Sequence, residues 1–399
     1  MTTQFTKTPI SILIDQPTAR ATVKRLGASK IREVANAGLG QSDVLAFWFG
    51  EPFETTPLFI REAAKDALSA GDTFYQHNLG LPELRNELST YLSTLRLPIS
   101  PDRIAVTSSG VNALMLAAQL IIEPGDHVVV VTPLWPNIVE IPKILGASVT
   151  TVGVELNPIT SQWQLPINAL ISALSHNPKA LIINSPNNPT GWVMPAVQWQ
   201  IVVDYCRANG IWIISDEAYD RLVFDGSYLA PSPLDICTPY DRLIVASTFS
   251  KSWQMTGWRL GWLVVPPSLM DDLGTLIEFN TSCAPGFIQQ AGVAAIRAGE
   301  APIRHFVDQL SHRSQLMIRE LSKIERITVG HQQGAMYAFF KIDGEPNSLD
   351  FAKRLVRDHR LGLAPGSAFG DQGEGYLRWC FAKPEAMLLD GLDRLRSAL

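Results

Sequence analysis

The sequence predicts an α/β fold: a large, mostly parallel sheet sandwiched by helices, plus a smaller α+β region. Short runs rich in valine and isoleucine recur without polar alternation, as in strands buried on both faces. Amphipathic stretches of helical length separate these runs. The length, 399 residues, exceeds what one ordinary core absorbs, so two units are expected.

In chain order the runs are Ile104–Val106, Val128–Val131, Leu181–Ile183, Ile211–Ile214, Leu243–Val245 and Leu260–Val265. The helical stretches between them include Val111–Ile122, Ile138–Leu145, Ile167–Ser175 and Pro195–Asn209. Near the C-terminus the pattern changes. Ala301–Glu325 reads as a long helix, Tyr337–Ile342 as a strand, Ser348–His359 as a helix and Tyr376–Phe381 as a strand, with a last helix from Pro384. The expected division is an N-terminal segment (1–49) that joins the small unit or covers the site, a large unit (50–300), and a small C-terminal unit (301–399).

Composition excludes some functions. Lysine plus arginine is 33 and aspartate plus glutamate 38, a formal charge of −5. Nucleic acid or an anionic membrane as partner would call for a basic excess. The apolar share of 46% and charged share of 18% describe a soluble globular chain. The cysteines, Cys206, Cys237, Cys283 and Cys380, have no paired spacing. They suit reduced residues of a cytoplasmic protein and no metal centre. The apolar run Ile10–Ile14, broken by Ser11, is too short for a signal peptide. No stretch approaches the ~20 apolar residues of a membrane span. Neither GxGxxG nor GxxxxGK occurs, which removes the common nucleotide-binding readings.

Ligands of open α/β sheets sit beyond the carboxyl ends of the strands. The residues that follow the runs are Thr107–Gly110, Thr132–Trp135, Asn184–Gly191, Ser215–Tyr219 and Ser247–Lys251. Each has a bland reading beside a chemical one. Lys251 is a surface lysine, or a desolvated amine fit for a Schiff base. Arg259, between glycines and tryptophans, forms a structural ion pair or binds phosphate. Asp216 caps a following helix, the commoner role, or partners a buried cation such as a protonated pyridine nitrogen. Ser109, Gly110 and Val111 make an ordinary helix start or an anion site. Trp135 fills core or stacks on a planar ligand. Asn188 marks a turn or donates to a ligand oxygen.

Their joint occurrence at strand ends resembles the pyridoxal-phosphate enzymes of fold type I, specifically the class I/II aminotransferases related to aspartate aminotransferase. The residues that carry the likeness are Ser250-Lys251 with Gly257-Trp258-Arg259-Leu260-Gly261, Asp216-Glu217-Ala218-Tyr219, Asn188-Pro189-Thr190-Gly191 and Tyr376-Leu377-Arg378. Gly50-Glu51-Pro52, Tyr75 with Gly80-Leu81-Pro82-Glu83-Leu84-Arg85, and Pro365-Gly366-Ser367-Ala368-Phe369-Gly370 extend it over nearly the whole chain.

The resemblance implies pyridoxal 5'-phosphate as cofactor. It makes Lys251 the Schiff-base lysine and proton shuttle, with Asp216 on the pyridine nitrogen. Asn188 and Tyr219 are expected on the phenolic oxygen and Trp135 on the ring face. Ser109, Gly110, Val111, Thr248, Ser250 and Arg259 are expected on the phosphate. Tyr75 would reach the phosphate of a neighbouring subunit, which implies a homodimer with shared sites. Arg378 would clamp the substrate carboxylate, with Asn188 and the backbone at Gly50 beside it.

The expected reaction moves an amino group between an L-amino acid and a 2-oxo acid such as 2-oxoglutarate. Trp48, Phe49, Phe53 and Trp135 suggest an apolar or aromatic side chain on the donor. The same residues serve a β-lyase, a decarboxylase, a ring-forming lyase or an oxidase. A regulator half with an N-terminal DNA-binding domain fits poorly, because only 28 residues precede Ser29. Three departures from the family pattern bear on substrate preference: Ser108-Ser109-Gly110 in the phosphate loop, Phe53 after Gly-Glu-Pro, and Gln76 after Tyr75.

Overall fold

Seven strands form the central sheet of the computed structural model, which describes residues 18–399. The Ile10–Ile14 run lies outside the described residues. The strands are β1 (Ile104–Thr107), β2 (His127–Thr132), β3 (Ser148–Gly153), β4 (Ala180–Asn184), β5 (Trp212–Asp216), β6 (Leu243–Thr248) and β7 (Gly261–Val264). Their order is β1-β7-β6-β5-β4-β2-β3. From β6 across to β3 every pair is parallel. Strand β7 runs antiparallel to β6 and to β1. The reason is the connection: residues 249–260 contain only a short 3-10 turn, Thr256–Trp258, and no crossover helix. Without a crossover the chain returns antiparallel.

The strands are buried on both faces, as their unbroken apolar runs predict. Val128, Val130, Ile182, Ile214 and Ile244 pack on one side with the helices Gly110–Ile121 and Met270–Glu278. Val129, Val131, Leu181, Ile183 and Val245 pack on the other. Strand β3 escaped the sequence reading because it is an edge. Its Ser-Val-Thr-Thr-Val-Gly has two valines among hydroxyl residues, and most of it is exposed or half-buried. The helices Pro136–Ile144, Ile167–Leu174 and Ala196–Asn209 lie within a residue or two of expectation. The long helix ends early, at Glu300–Leu321, because a turn must precede the strand that follows.

A second sheet gathers β8 (Ile327–Val329), β9 (Tyr337–Ile342), β10 (Ala364–Pro365) and β11 (Tyr376–Cys380) in the antiparallel order β8-β9-β11-β10. Two residues of the N-terminal segment, Leu45–Ala46, pair in parallel with Leu361–Gly362. The helix Lys30–Ala37, capped by Ser29, packs on Ser348–His359. The chain then crosses from this layer to the large sheet through Phe47 and Trp48, both buried.

Gly362 makes that crossing possible. A Cβ there would stand 2.1 Å from the Trp48 ring. Gly362→Ala should therefore destabilise the protein by roughly 1–3 kcal/mol through overpacking. Urea denaturation read by tryptophan fluorescence checks the value.

Candidate active site

The carboxyl ends of the parallel strands open into a cavity of about 740 Å³. Gly110, Val111, Trp135, Asn188, Asp216, Tyr219, Thr248, Ser250, Lys251, Arg259, Arg378 and Gly50 all line it. Of the residues singled out from the sequence, Ser109 and Tyr75 do not. Ser109 lies just behind the wall, and its hydroxyl accepts from the Asn112 N–H at 3.0 Å. That is the capping role. Tyr75 is 90% exposed. Phe53 is also absent from the lining and 57% exposed, with its N–H held by the Ala382 carbonyl at 2.9 Å.

Lys251 follows β6 in a tight turn. Its Nζ donates to the Gly50 carbonyl at 2.6 Å and lies 5.6 Å over the Tyr219 ring. Burial lowers its pKa from 10.5 to about 8, with the Cys380 thiol pulling the other way. A lysine so placed is partly unprotonated near neutral pH, which is the nucleophilic form.

Asp216 is the last residue of β5, and no helix follows it. The next helical element is a 3-10 turn at Pro233–Asp235. The helix-cap reading is thus overturned: Oδ1 accepts from the Ala218 N–H at 3.1 Å within a turn. Burial raises the carboxyl from 3.8 to about 7, against that hydrogen bond and the Lys251 charge. No cation lies within ion-pair distance of it among the described residues. A buried carboxylate without a cation suits a ligand that brings one.

The next residues of the turn face the opposite way. Glu217 and Asp220 are buried at 3.7 and 4.0 Å from the Arg96 guanidinium, which also holds Asp235 at 2.9 Å. Ser215 and Ser232 donate to Glu217 Oε1 at 3.0 and 2.6 Å. This ionic layer anchors the turn from behind while Asp216 and Tyr219 face the cavity. Arg96 sits far off in sequence, just after the helix Pro82–Leu95, and no local motif marks it.

Arg378, on β11, is held on several sides. Nη1 donates to Asn188 Oδ1 at 3.0 Å, and Nη2 donates to the Trp48 carbonyl. Its guanidinium lies 4.5 Å from the Tyr337 ring centre and 4.9 Å from that of Phe369. Nε is buried with no partner among the described residues, an orphan donor. Asn188 is in the turn that its sequence marks, which Gly191 closes at φ +72°, and its side-chain oxygen is taken by protein, at Arg378.

At the other end, the start of the helix Gly110–Ile121 meets Thr248 and Ser250. The Thr248 and Ser250 hydroxyls are 2.9 Å apart. A Cβ on Gly110 would come 3.0 Å from the Thr248 Cβ, and one on Gly261 within 2.7 Å of the Ser247 carbonyl. A side chain at Gly261 would not fit, and one at Gly110 would need Thr248 to give by a few tenths of an ångström. Arg259 is left-handed at φ +57° and donates to the Thr256 carbonyl at 2.6 Å. Trp135 is half-buried on the cavity wall, so it is not simply core.

Sequence reasoning missed Tyr337 and Arg32, which also line the cavity. Tyr337 reads as core in a strand pattern. Arg32 is an exposed helix residue whose guanidinium stands 5.3 Å from the Phe49 ring centre.

The sequence model of the family described as "Aminotransferase class I and II" matches residues 42–395. The chain belongs to this family. It is 31% identical over 375 residues to an aspartate aminotransferase of Pyrococcus horikoshii, covering 93% of this chain and 94% of that one. An aspartate aminotransferase of Thermotoga maritima is 32% identical over 358 residues, covering 90% and 92%. The solved Thermotoga maritima enzyme superimposes with a TM-score of 0.87 at 30% identity, covering 95% and 99%. An alanine aminotransferase from Pyrococcus furiosus gives 0.88 at 26%, covering 95% and 99%. The enzyme is thus an aminotransferase of fold type I, and members of its family use pyridoxal phosphate. The residues present fit that group. A helix start with two hydroxyls and an arginine suits a phosphate, and a buried unpaired carboxylate suits a ring nitrogen.

The raised pKa of Asp216 has a sign. A carboxyl that keeps its proton better when folded favours the folded state at low pH. That contribution is lost as pH rises from 3.8 through about 7. In the cofactor-free aminotransferase, Asp216→Asn should raise the melting temperature above pH 7 and change little near pH 4. Calorimetry across that range checks it.

Proposed function

We propose that the predicted residues act as follows. When bound, pyridoxal phosphate supplies a carbonyl that condenses with amines and a ring that withdraws electrons. Lys251 holds its carbonyl end and afterwards moves a proton with Nζ. Asp216 holds the ring nitrogen in its protonated form. Asn188 and Tyr219 donate to the phenolic oxygen, and Trp135 covers one ring face. Gly110, Val111, Thr248, Ser250 and Arg259 bind the phosphate, with Ser109 fixing the helix start beneath them. Arg378 grips the substrate carboxylate beside Asn188 and the Gly50 main chain, and so sets which Cα bond stands ready to break.

The observation that carries this reading is Lys251. Its buried amine, 2.6 Å from the Gly50 carbonyl, lies in one cavity with Arg378, Asp216 and the helix start. We also read a homodimer. Tyr75 and Phe74 are 90% and 80% exposed, and Phe279 is 87% exposed. These segments meet where the Gln76 N–H donates to Cys283 Sγ. A second copy over them supports Tyr75 as a phosphate ligand of its neighbour. Residues 50–300 would then form the cofactor-binding domain, and 301–399 with part of 1–49 the smaller one. A cytoplasmic setting suits unpaired cysteines. No helix among the described residues is long and apolar enough to cross a membrane.

For substrate, the cavity offers Trp48 and Phe49 to an apolar or aromatic donor and Arg32 to a second carboxylate. Arg32 has no ion-pair partner among the described residues, so its charge is available to a 2-oxo diacid such as 2-oxoglutarate.

The test of the reaction is stoichiometric. Purified cofactor-loaded enzyme, given an amino acid and no acceptor, should release one equivalent of its 2-oxo acid and change its visible absorbance. Release of pyruvate and ammonia, carbon dioxide or peroxide instead would mark one of the alternative chemistries. Lys251→Ala should abolish turnover with the fold intact by circular dichroism. Turnover near wild type would remove Lys251 as the nucleophile.

Arg32→Ala should raise KM for 2-oxoglutarate about tenfold, the worth of one charge-assisted contact, and spare aromatic donors. Steady-state kinetics with both substrate types checks this.

A further inference from the structure

Two phenol oxygens, Tyr219 and Tyr337, lie 2.7 Å apart on the cavity wall. Counting protons decides which one donates. Burial raises both phenols above their ordinary range, so both are protonated at neutral pH. One hydrogen lies between the oxygens, and the other needs an acceptor.

Among the described residues Tyr337 has no second acceptor. It is wholly buried, and its hydroxyl bonds only to Tyr219 among the described residues. On another side the Gly50 main chain closes in: a Cβ there would stand 1.9 Å from the Tyr337 oxygen. The Arg378 guanidinium over the Tyr337 ring offers donors alone. If Tyr219 donated, the Tyr337 hydrogen would be stranded. The reverse assignment strands nothing, because Tyr219, 4% exposed where Tyr337 is 0%, then turns its own hydrogen to the cavity.

We propose that Tyr337 is a positioning residue: it donates to Tyr219 and so commits the Tyr219 proton to an oxygen bound in the cavity. The inference rests on Tyr219 as donor to the phenolic oxygen of the cofactor. A hydroxyl that accepts one bond donates the next more strongly. Tyr337 thereby strengthens that contact without touching the cofactor. The charged and titratable groups that face the pair are Asp216, Lys251, Arg378 and Cys380. Removing one hydroxyl leaves all of them in place.

The experiment uses the cofactor-loaded enzyme and reads the midpoint pH of its visible absorbance. A donor on the phenolic oxygen favours the deprotonated form, so weakening it raises the midpoint. Tyr337→Phe should raise the midpoint by roughly half a pH unit. Tyr219→Phe should raise it further, and the double variant should match Tyr219→Phe, because Tyr337 acts through Tyr219. The KM for the amino donor should stay within about twofold in Tyr337→Phe, since the ring beneath Arg378 remains.

A midpoint unmoved or lowered by Tyr337→Phe overturns the proposal. So do shifts that add in the double variant, and so does a raised KM with a fixed midpoint. Neutron diffraction of the wild-type loaded enzyme gives an answer that needs no variant. Deuterium from Tyr337 between the oxygens supports the assignment, and deuterium from Tyr219 there refutes it. Wild-type enzyme that shows no visible band with pyridoxal phosphate would instead sink the cofactor-site reading.

Discussion

The register of the central sheet is the constraint on which the site depends. Asn184 lies opposite Asp216, and Asp216 opposite Ala246. Gly261 lies opposite both Thr248 and Thr107. The strands therefore end along one line, and the loops that bear Asn188, Tyr219, Lys251 and Arg259 leave from it. A slip of one residue in β5 would send Asp216 to the other face of the sheet. The antiparallel β7 is part of the same device. Because the chain turns straight back after β6, Lys251 and Arg259 stay at this edge instead of being carried off along a crossover helix.

Register alone does not hold buried ionisable groups in place. Asp216 and Lys251 are both shifted toward neutrality by burial, to about 7 and about 8. The turn that presents Asp216 has to resist relaxing toward water. The layer behind it supplies that resistance: Glu217 and Asp220 are tied to Arg96, and Arg221 to Glu300 at 2.9 Å. Breaking such a buried set by removing one member commonly costs about 3–5 kcal/mol, because the remaining charges are left unpaired. The acidic run Asp-Glu-Ala-Tyr-Asp is thus divided by direction. Asp216 and Tyr219 face the cavity, while Glu217 and Asp220 pay no part in it and bind the anchor.

The central strands and the residues at their ends were legible because burial on both faces leaves an unbroken Val/Ile signature, and because polar residues then cluster at the carboxyl ends. Strand β3 was not legible, since an edge strand with three hydroxyl residues in six looks like a loop. Asp216 misled when taken alone: a carboxylate after a strand and before polar residues is most often a helix cap, and only the absence of a helix corrects that. Ser109 took the opposite course, proving to be the cap that its position suggested. Arg96 and Tyr337 carry no local signal, because their importance arises from contacts with residues distant in sequence. Phe53 shows the limit of adjacency. It follows the Gly50-Glu51-Pro52 segment at the cavity, yet its backbone turns away to bond Ala382.

The site also straddles two sheets, and this bears on how it works. Lys251, Asp216, Asn188 and Tyr219 come from the large sheet. Tyr337 and Arg378 come from neighbouring strands of the small one, where Phe339 pairs with Arg378 and Tyr337 with Cys380. The two groups meet through Tyr337 to Tyr219 at 2.7 Å and Arg378 to Asn188 at 3.0 Å. Because Arg378 stacks on the Tyr337 ring, any displacement of the small sheet moves both contacts at once. The position of the Arg378 guanidinium is therefore tied to that of the Tyr337 hydroxyl bonded to Tyr219. An acidic chain can in this way bring Arg378, Lys251, Arg259 and Arg32 to one cavity, since the fold and not net charge decides where those cations stand.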